Sequence, residues 1–378
     1  MAETLRFKDI YTDAPKESLG NDDFDISVSK PIHKEIIDVE KLSLKMPNSE
    51  DSWFSYSHSD QENHYFVELK HSEAMYDPII AIWKFNSNQE MIKLLDLEKV
   101  ELKDFAETLE SFSELDGTLY LANNEDDYTR VYRLDNDKRI LIDESLRHNF
   151  YNTNTYVMFA RNSDNLWYSR LNKTDKGYCY TVKNVKNDKE LKIDCFKEEL
   201  DPHLIPIMQL SAINEKYIVF RSHTTSFMNW EKNSRDVELS SEIKVYNRRG
   251  KLLDTYDDAN ALELIGDVLI LQKEIEETYE YELIDLIKGY KEEIPDASKL
   301  YYNLKDRGIP VFAFSGTERW FDGTKVSGPS FRTSAVRFQT TDDTIENQYL
   351  VFNYVENPVI IFEDNDNQVI YFYKLVFK

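Results

Sequence analysis

The chain has 378 residues, of which 41% are hydrophobic and 13% aromatic, and its net charge is −24. The apolar and aromatic content excludes a wholly disordered chain, and the length provides enough residues for a large core. The negative charge argues against direct binding to nucleic acid and to anionic membranes, because both would be repelled.

Only two cysteines occur, Cys179 and Cys195, without a CxxC motif or a cysteine–histidine cluster. This usage fits a reducing compartment, while a disulfide between the two stays an alternative. No stretch is long and apolar enough to span a bilayer, and the N-terminus shows no secretory signal. We therefore predict a protein without a membrane span, located in the cytoplasm or the nucleus.

Residues 1–34 are polar and acidic and show no sustained periodicity. They predict a flexible N-terminal arm, with a short docked piece near Leu5 and Phe7. Residues 36–44 alternate polar and apolar side chains, as a strand does. A strand so early in the chain can close a propeller by pairing with its last blade. Residues 35–378 are therefore predicted to form one β-propeller domain.

A short apolar strand pattern that ends in an aromatic or aliphatic side chain returns along the chain. It occupies residues 80–85, 129–134, 166–171, 243–246, 281–286 and 369–375. Further segments have three or more consecutive apolar residues, as strands buried on both faces do. They are residues 64–69, 117–122, 156–160, 217–220, 267–271, 310–314 and 349–352. Recurrence on this scale indicates a repeat fold, and these segments are interpreted as the inner strands of its blades.

The sequence separations between the aromatic or aliphatic positions of the repeated strands predict the number of blades. From Trp83 to Tyr373 the successive intervals are 49, 36, 78, 38 and 89 residues. Because a four-stranded blade takes roughly 40–50 residues, the interval before Tyr373 holds two blades. The interval before Tyr246 holds one blade with a long insertion, or two. The sequence predicts an all-β fold, a single β-propeller of about seven four-stranded blades, with six to eight compatible.

One segment has a helical alternative. In residues 98–109, Leu102, Phe105, Ala106 and Leu109 fall at i, i+3, i+4 and i+7, the spacing of one helix face. The same residues also fit a strand pair with a polar turn, and both interpretations stay open.

Residues 119–134, 242–253 and 362–375 resemble the second half of a WD40-type repeat, in which an acidic turn leads to a strand that closes on Trp-Asp. The chain departs from that pattern, because it has no Trp-Asp dipeptide and no Gly-His pair, and Tyr mostly stands where the family has Trp. The resemblance implies a propeller fold and, as the common use of that superfamily, protein–protein scaffolding. Fold by itself does not establish function.

Motifs with defined chemistry are missing from the sequence, which contains no GxGxxG, GxxxxGK[ST], GxSxG or HExxH pattern. His58, His64 and His71 form a loose cluster that could meet across a hairpin, but exposed or hydrogen-bonded histidines explain it better. The acidic tracts at 125–127 and 364–367 resemble calcium loops and fit hairpin turns better. We therefore predict no catalytic residue, no metal ligand and no cofactor.

Two regions are candidate partner-binding loops. Residues 305–337 contain six basic and three acidic residues and four of the ten glycines, and the segment between Phe220 and Ile243 contains aromatic residues and a methionine. Arg and Trp are enriched at binding hot spots. The candidate residues are Arg307, Arg319, Trp320, Phe321, Arg332, His223 and Trp230. In the alternative interpretation, residues 305–337 are an insertion whose arginines pair with the acidic surface.

Two charged segments, residues 247–250 and 274–282, are further candidates for ligand contacts. Residues 247–250, Asn-Arg-Arg-Gly, resemble the double-arginine signature of phosphoinositide-binding propellers. Their position directly after a repeated strand favours an ordinary charged turn. The acidic run 274–282 could contact a basic partner, and a solvated hairpin explains it better.

These observations favour a non-enzymatic scaffold or adaptor that binds a partner protein or peptide through loops on a propeller face. The alternative is a propeller enzyme or glycan-binding protein that acts at the mouth of the central channel. That alternative requires inward-facing carboxylates of raised pKa, which a sequence does not reveal.

Overall fold

The computed structural model describes residues 4–6, 27–28, 36–45, 51–59, 63–72, 77–86, 90–99, 109–125, 128–135, 138–146, 149–150, 153–154, 159–162, 165–197, 207–225, 239–275, 278–295, 297–307, 311–315, 319–320, 324–325, 327–331, 335–338, 348–352, 359–364 and 369–377. The chain divides into two compact units. One contains Met1–Glu107 and Ile294–Lys378, and the other contains Thr108–Glu293.

The first unit begins with three N-terminal strands, β1 (Thr4–Arg6), β2 (Ser27–Val28) and β3 (Ile36–Lys45). Sheet 1 contains β4 (Ser52–Ser59), β5 (His64–Lys70), β6 (Ile79–Phe85) and β7 (Glu90–Asp96), paired in chain order. Strand β1 joins the outer edge of β7, where Leu5 pairs with Met91. This pairing confirms the docked piece near Leu5, while the flexible arm as a whole stays a prediction.

The second unit contains sheets 2 to 5, each with four strands that pair in chain order. Sheet 2 consists of β8 (Leu109–Leu115), β9 (Thr118–Glu125), β10 (Tyr128–Asp135) and β11 (Lys138–Leu146). A short pair follows, β12 (Asn149–Phe150) and β13 (Thr153–Asn154). Sheet 3 consists of β14 (Phe159–Asn162), β15 (Asn165–Thr174), β16 (Gly177–Asn184) and β17 (Glu190–Lys197).

Sheet 4 consists of β18 (Ile207–Ile213), β19 (Tyr217–Thr225), β20 (Leu239–Asn247) and β21 (Leu252–Asp257). Sheet 5 consists of β22 (Asn260–Ile265), β23 (Val268–Ile275), β24 (Thr278–Asp285) and β25 (Tyr290–Ile294), whose last residue is assigned to the first unit.

The first unit continues with the helix α1 (Ala297–Asp306) and eight strands. These are β26 (Val311–Ser315), β27 (Arg319–Trp320), β28 (Thr324–Lys325), β29 (Ser327–Phe331), β30 (Ala335–Phe338), β31 (Gln348–Phe352), β32 (Val359–Asp364) and β33 (Val369–Phe377). Sheet 6 has the order β2-β26-β31-β30, and sheet 7 has the order β29-β32-β33-β3. Strands β27 and β28 form a separate hairpin.

Successive four- or five-stranded antiparallel sheets are the blades of a β-propeller, and seven of them are present in the described part of the chain. The predicted fold class is confirmed. The 89-residue interval before Tyr373 contains sheets 6 and 7, as predicted, and the interval before Tyr246 contains one sheet with an insertion.

The N-terminal strand β3 completes sheet 7 by pairing with β33, the last strand of the chain. The register runs from Ile36 opposite Phe377 to Lys45 opposite Val369. This confirms the predicted pairing of residues 36–44 with the last blade. It covers the edge of β33, which would otherwise present unpaired backbone groups.

Two strand assignments made from the sequence are wrong. The repeated strand pattern is interpreted as the third strand of each blade, but residues 166–171 lie in β15, the second strand of sheet 3, and the third strand is β16. Residues 310–314 and 349–352, interpreted as inner strands of different blades, pair with each other through β26 and β31 in sheet 6. Consecutive apolar residues mark a strand buried on both faces, and this does not specify its neighbours.

The core of the second unit lies between neighbouring sheets and follows the period-2 alternation of the strands. On β19, Ile218 and Phe220 belong to a buried cluster shared with sheet 3, while Tyr217 and Val219 belong to one shared with sheet 5. Because successive side chains point to opposite faces, a strand between two sheets needs an unbroken apolar run. The Phe220 ring packs edge-on against Tyr246, with ring centroids 6.0 Å apart.

The two cysteines form a disulfide between β16 and β17. Cys179 and Cys195 are directly opposite in the register of these strands, with Cα atoms 4.1 Å apart. The alternative left open by the sequence is therefore the one that the structure contains. Localisation in the cytoplasm or the nucleus stays a prediction.

The sequence patterns did not predict the helix α1. Leu300 and Leu304, one turn apart, are fully buried, which explains why this short segment is helical. Most of residues 98–109 lie outside the described residues, and Leu109 begins strand β8. Within the described part of the chain, no helix is long and apolar enough to cross a membrane.

Candidate binding surface

The turn between β20 and β21 is built by its own sequence, Asn-Arg-Arg-Gly-Lys. The Asn247 side-chain oxygen accepts hydrogen bonds from the backbone N–H groups of Arg249 (2.9 Å) and Lys251 (3.1 Å). Gly250 has φ +76°, a left-handed conformation that glycine adopts without steric cost. An asparagine at the start and a glycine near the end therefore hold the two arginines at the tip of the turn.

This turn packs on sheet 3. A Cβ atom on Gly250 would lie 1.9 Å from the carbonyl oxygen of Lys192 on β17, so the two backbones are in contact. The guanidinium of Arg248 lies over the indole ring of Trp167 on β15, with its carbon 4.3 Å from the ring centroid. Stacking of this kind contributes about 0.5–2 kcal/mol, depending on burial.

Two hydrogen-bond donors next to each other have no acceptor. Trp167 is 4% exposed, and its Nε1–H group makes no hydrogen bond, and neither does the buried Nη1 of Arg248. A buried donor without an acceptor costs about 1–3 kcal/mol. Burial lowers the pKa of the Arg248 guanidinium, and the charge of Glu215 opposes this shift. An added anionic oxygen would accept from the unsatisfied donors and would favour the charged form of Arg248.

Four cations without ion pairs lie on the two segments that meet at these donors. Lys189, Lys192, Arg249 and Lys251 are exposed, and none forms a salt bridge with a described residue. The backbone of Trp167 pairs with that of Asn184, whose N–H group donates to the Lys189 carbonyl (2.9 Å). We call the set Trp167, Lys189, Lys192, Arg248, Arg249 and Lys251 the basic turn cluster.

Other lysines of sheets 3 and 4 form ion pairs. Lys216 bonds to Asp267 (2.8 Å), Lys186 to Asp116 (2.6 Å) and Lys183 to Asp188 (3.2 Å). The basic turn cluster brings five cations into two adjoining segments of a chain of net charge −24, and the charge of Glu215 acts on Arg248.

The partner-binding residues predicted from the sequence are only partly within the described residues. Arg307 lies at the end of α1, exposed, and its Nε–H group donates to the Asn303 side chain (2.6 Å). Arg319 and Trp320 form β27, opposite Lys325 and Thr324. The backbone of His223 lies in β19. Phe321, Arg332 and Trp230 lie outside the described residues, as does most of the second loop.

These placements do not test the predicted loops, which stay predictions. Arg307, Arg319 and Trp320 belong to the first unit, and His223 belongs to the second. The basic turn cluster was missed because residues 247–250 were interpreted as an ordinary charged turn. Its signal in the sequence is a basic excess in both 186–192 and 247–251, but only the packing of sheet 4 on sheet 3 shows that the two segments meet.

Three buried or half-buried carboxylates contact cations. Asp143 contacts Arg170 and Lys183, Glu125 contacts Arg130, and Glu282 accepts from Lys273 (3.0 Å) and Lys291 (2.7 Å). Glu282 ends the acidic run 274–282 and pairs within sheet 5, and Glu276 and Glu277 lie outside the described residues. Among the residues described, no group of three histidine, cysteine or acidic side chains could hold a metal ion.

The two acidic tracts flank hairpins, as predicted. Glu125 pairs with Tyr128 between β9 and β10, and Asp364 pairs with Val369 between β32 and β33. Of the histidine cluster, His71 approaches the Asp77 carboxylate at 3.7 Å, and His64 is buried in β5.

No protein-family model matches the chain, and no curated protein matches it. Among solved structures, TolB from Acinetobacter baumannii is similar with a TM-score of 0.34 and 8% identity, over 84% of this chain and 78% of that one. A prolyl endopeptidase has a TM-score of 0.32 and 11% identity, over 84% of this chain and 55% of that one. The NanB sialidase from Streptococcus pneumoniae has a TM-score of 0.23 and 9% identity, over 94% of this chain and 56% of that one. The chain thus spans little more than half the length of the last two, and the fold class rests on its own sheets.

Proposed function

We propose that this chain is a non-enzymatic scaffold that binds a partner protein or peptide through exposed turns and loops of its sheets. The observation that carries the proposal is the basic turn cluster, in which an arginine stacked on a tryptophan has unsatisfied donors and lies where two segments that carry unpaired cations meet. Arg and Trp dominate binding hot spots, because they combine a large contact area with directed hydrogen bonds.

The carboxylates support binding over acid–base chemistry. A general acid needs a raised pKa, and against the effect of burial, hydrogen bonds from Tyr132 and Arg130 lower the pKa of Glu125. Asp143, Glu125 and Glu282 each contact an arginine or lysine. The resemblance of the repeated strands to WD40-type repeats agrees with a scaffold. A cytoplasmic or nuclear location is part of the same proposal.

The experiment is affinity capture from the cells that make the protein, followed by titration of each captured protein in purified form. Three baits are compared with the wild type: Arg248→Gln, the control Lys176→Gln, and an alanine triple variant of Arg319, Trp320 and Arg332. Lys176 is exposed in the turn between β15 and β16, at the other end of sheet 3. Its substitution removes the same charge without affecting the basic turn cluster.

We expect at least one partner that is lost with Arg248→Gln and retained with Lys176→Gln. Loss with the triple variant instead would assign binding to the predicted loop of residues 305–337. If every variant captures the same proteins as the wild type, or if the purified chain binds glycans or turns over a substrate without a protein partner, the scaffold proposal is wrong.

A further inference from the structure

The basic turn cluster has the features of a site for a carboxylate. The Trp167 Nε1–H group and the Arg248 Nη1 donor lie side by side without an acceptor, and the stacking of guanidinium on indole holds them together. One anionic oxygen could accept from either donor, and Arg pairs with a carboxylate through two parallel hydrogen bonds. The donors therefore define the centre of the site, and the cations of the two adjoining segments define its rim.

The rim indicates a ligand with several negative charges. Lys189 and Lys192 belong to the turn and strand β17 of sheet 3, and Arg249 and Lys251 belong to the turn of sheet 4 that packs on it. Their side chains are exposed and free of salt bridges with described residues. An extended segment with carboxylates on successive residues would contact several of these cations at once. A single small anion would use only the centre.

The net charge of the chain favours a short acidic peptide over a larger polyanion. Nucleic acid and anionic membranes present many charges over a wide area and would meet the field of a protein of net charge −24. Charges beyond about 8 Å are largely screened at physiological salt. A peptide that covers only the basic turn cluster therefore interacts mainly with the five local cations.

Resting on the interaction function proposed above, we infer that the basic turn cluster binds an acidic segment of a partner protein, with one carboxylate at Arg248 and Trp167. Arg248 forms no ion pair with a described residue, and its half-buried side chain is partly accessible to the carboxylate.

The test uses the full chain and a fluorescein-labelled poly-glutamate peptide, with a poly-glutamine peptide as the uncharged control. Fluorescence anisotropy of the peptide gives the affinity. NMR spectra of protein with isotope-labelled tryptophan follow the Nε1–H signals of the indoles. The Trp167 signal is identified by its loss in Trp167→Phe. We expect binding of poly-glutamate that weakens with salt, a shift of the Trp167 signal, and an affinity about tenfold lower for Arg248→Gln. Lys176→Gln should bind as the wild type does.

Three results would overturn the inference: no binding of poly-glutamate at low salt, an equal loss in Lys176→Gln and Arg248→Gln, or tighter binding to vesicles that contain anionic lipid than to the peptide. The proposed function fails separately. If captured partners depend on Arg248 but poly-glutamate does not displace them, the scaffold function stands and the acidic-segment inference is wrong. If poly-glutamate binds at Arg248 but the chain captures no cellular protein at all, the scaffold function is wrong.

Discussion

The hydroxyl of Tyr168 on β15 donates a 2.5 Å hydrogen bond to the Asp143 carboxylate on β11, across the boundary between sheets 2 and 3. Tyr246 on β20 makes the equivalent contact with Asp194 on β17, between sheets 3 and 4, at 3.4 Å. In both cases a buried tyrosine joins the outer strand of the preceding sheet. Tyr168 and Tyr246 thus connect neighbouring sheets through their hydroxyl groups, whereas the hydroxyl of Tyr132 bonds to Glu125 within sheet 2.

The Tyr168–Asp143 contact should contribute measurably to stability. Asp143 also contacts Arg170 and Lys183, so its charge stays compensated when the hydroxyl is removed. Tyr168→Phe should lower the free energy of unfolding by about 1.5–3 kcal/mol, the range for a hydrogen bond to a charged group. Urea denaturation measures the change. The control is Tyr178→Phe in β16, whose hydroxyl has no hydrogen-bond partner among the described residues, and an equal loss there would contradict the prediction.

Gly250 is expected to be intolerant of any side chain. Gly250 and Gly117 share φ +76°, but a Cβ atom would meet Lys192 only at Gly250, and at Gly117 it would enter open space. Gly117→Ala should cost about 1–2 kcal/mol from backbone strain alone. Gly250→Ala should cost a further ~1–3 kcal/mol from overpacking. Similar free energies of unfolding for the two variants would show that sheet 4 does not approach sheet 3 as closely as described.

Stability should fall at alkaline pH partly through Tyr132. Its hydroxyl donates to Glu125 at 2.6 Å, and burial together with this bond raises the pKa of Tyr132 to about 12. A raised tyrosine pKa stabilises the fold below the unfolded value of about 10. This contribution is lost as the pH rises from about 10 to about 12.

We therefore expect the free energy of unfolding of wild type and Tyr132→Phe to converge between about pH 10 and pH 12. Urea denaturation at a series of pH values measures this, and tyrosinate absorbance follows the ionisation directly. The Tyr178→Phe variant serves as the matched control. If the free energies of unfolding of wild type and Tyr132→Phe instead fall in parallel between about pH 10 and pH 12, the ionisation of Tyr132 does not contribute to the loss of stability.

The Cys179–Cys195 disulfide leads to a prediction about both stability and location. Protein purified without reductant should show no free thiol, and reduction should cost about 3 kcal/mol for a loop of this length. The double variant Cys179→Ala/Cys195→Ala should not respond to reductant. Such bonds persist mainly in oxidising compartments. Free thiols in protein recovered directly from cells would support the predicted cytoplasmic or nuclear location.

The sequence by itself determined the repeat architecture. Strands buried on both faces need unbroken apolar runs, so segments such as 217–220 and 267–271 stand out wherever they lie in the fold. The alternation in residues 36–44 was enough to predict closure by β3, because an early unpaired strand has few other partners in such a fold. The acidic tracts marked hairpins for a similarly local reason, since Asp and Asn favour turns.

Only the tertiary structure decided which strands are neighbours and which charges meet. Residues 310–314 and 349–352 have similar patterns, yet they pair with each other, because apolar content sets burial and not partnership. Cys179 and Cys195 could have been free or bonded until the register of β16 and β17 placed them opposite each other. The basic turn cluster combines segments about sixty residues apart, and its unsatisfied donors depend on the packing of Arg248 over Trp167. Local pattern determines the strands, whereas contacts between sheets depend on long-range packing that no short window of sequence contains.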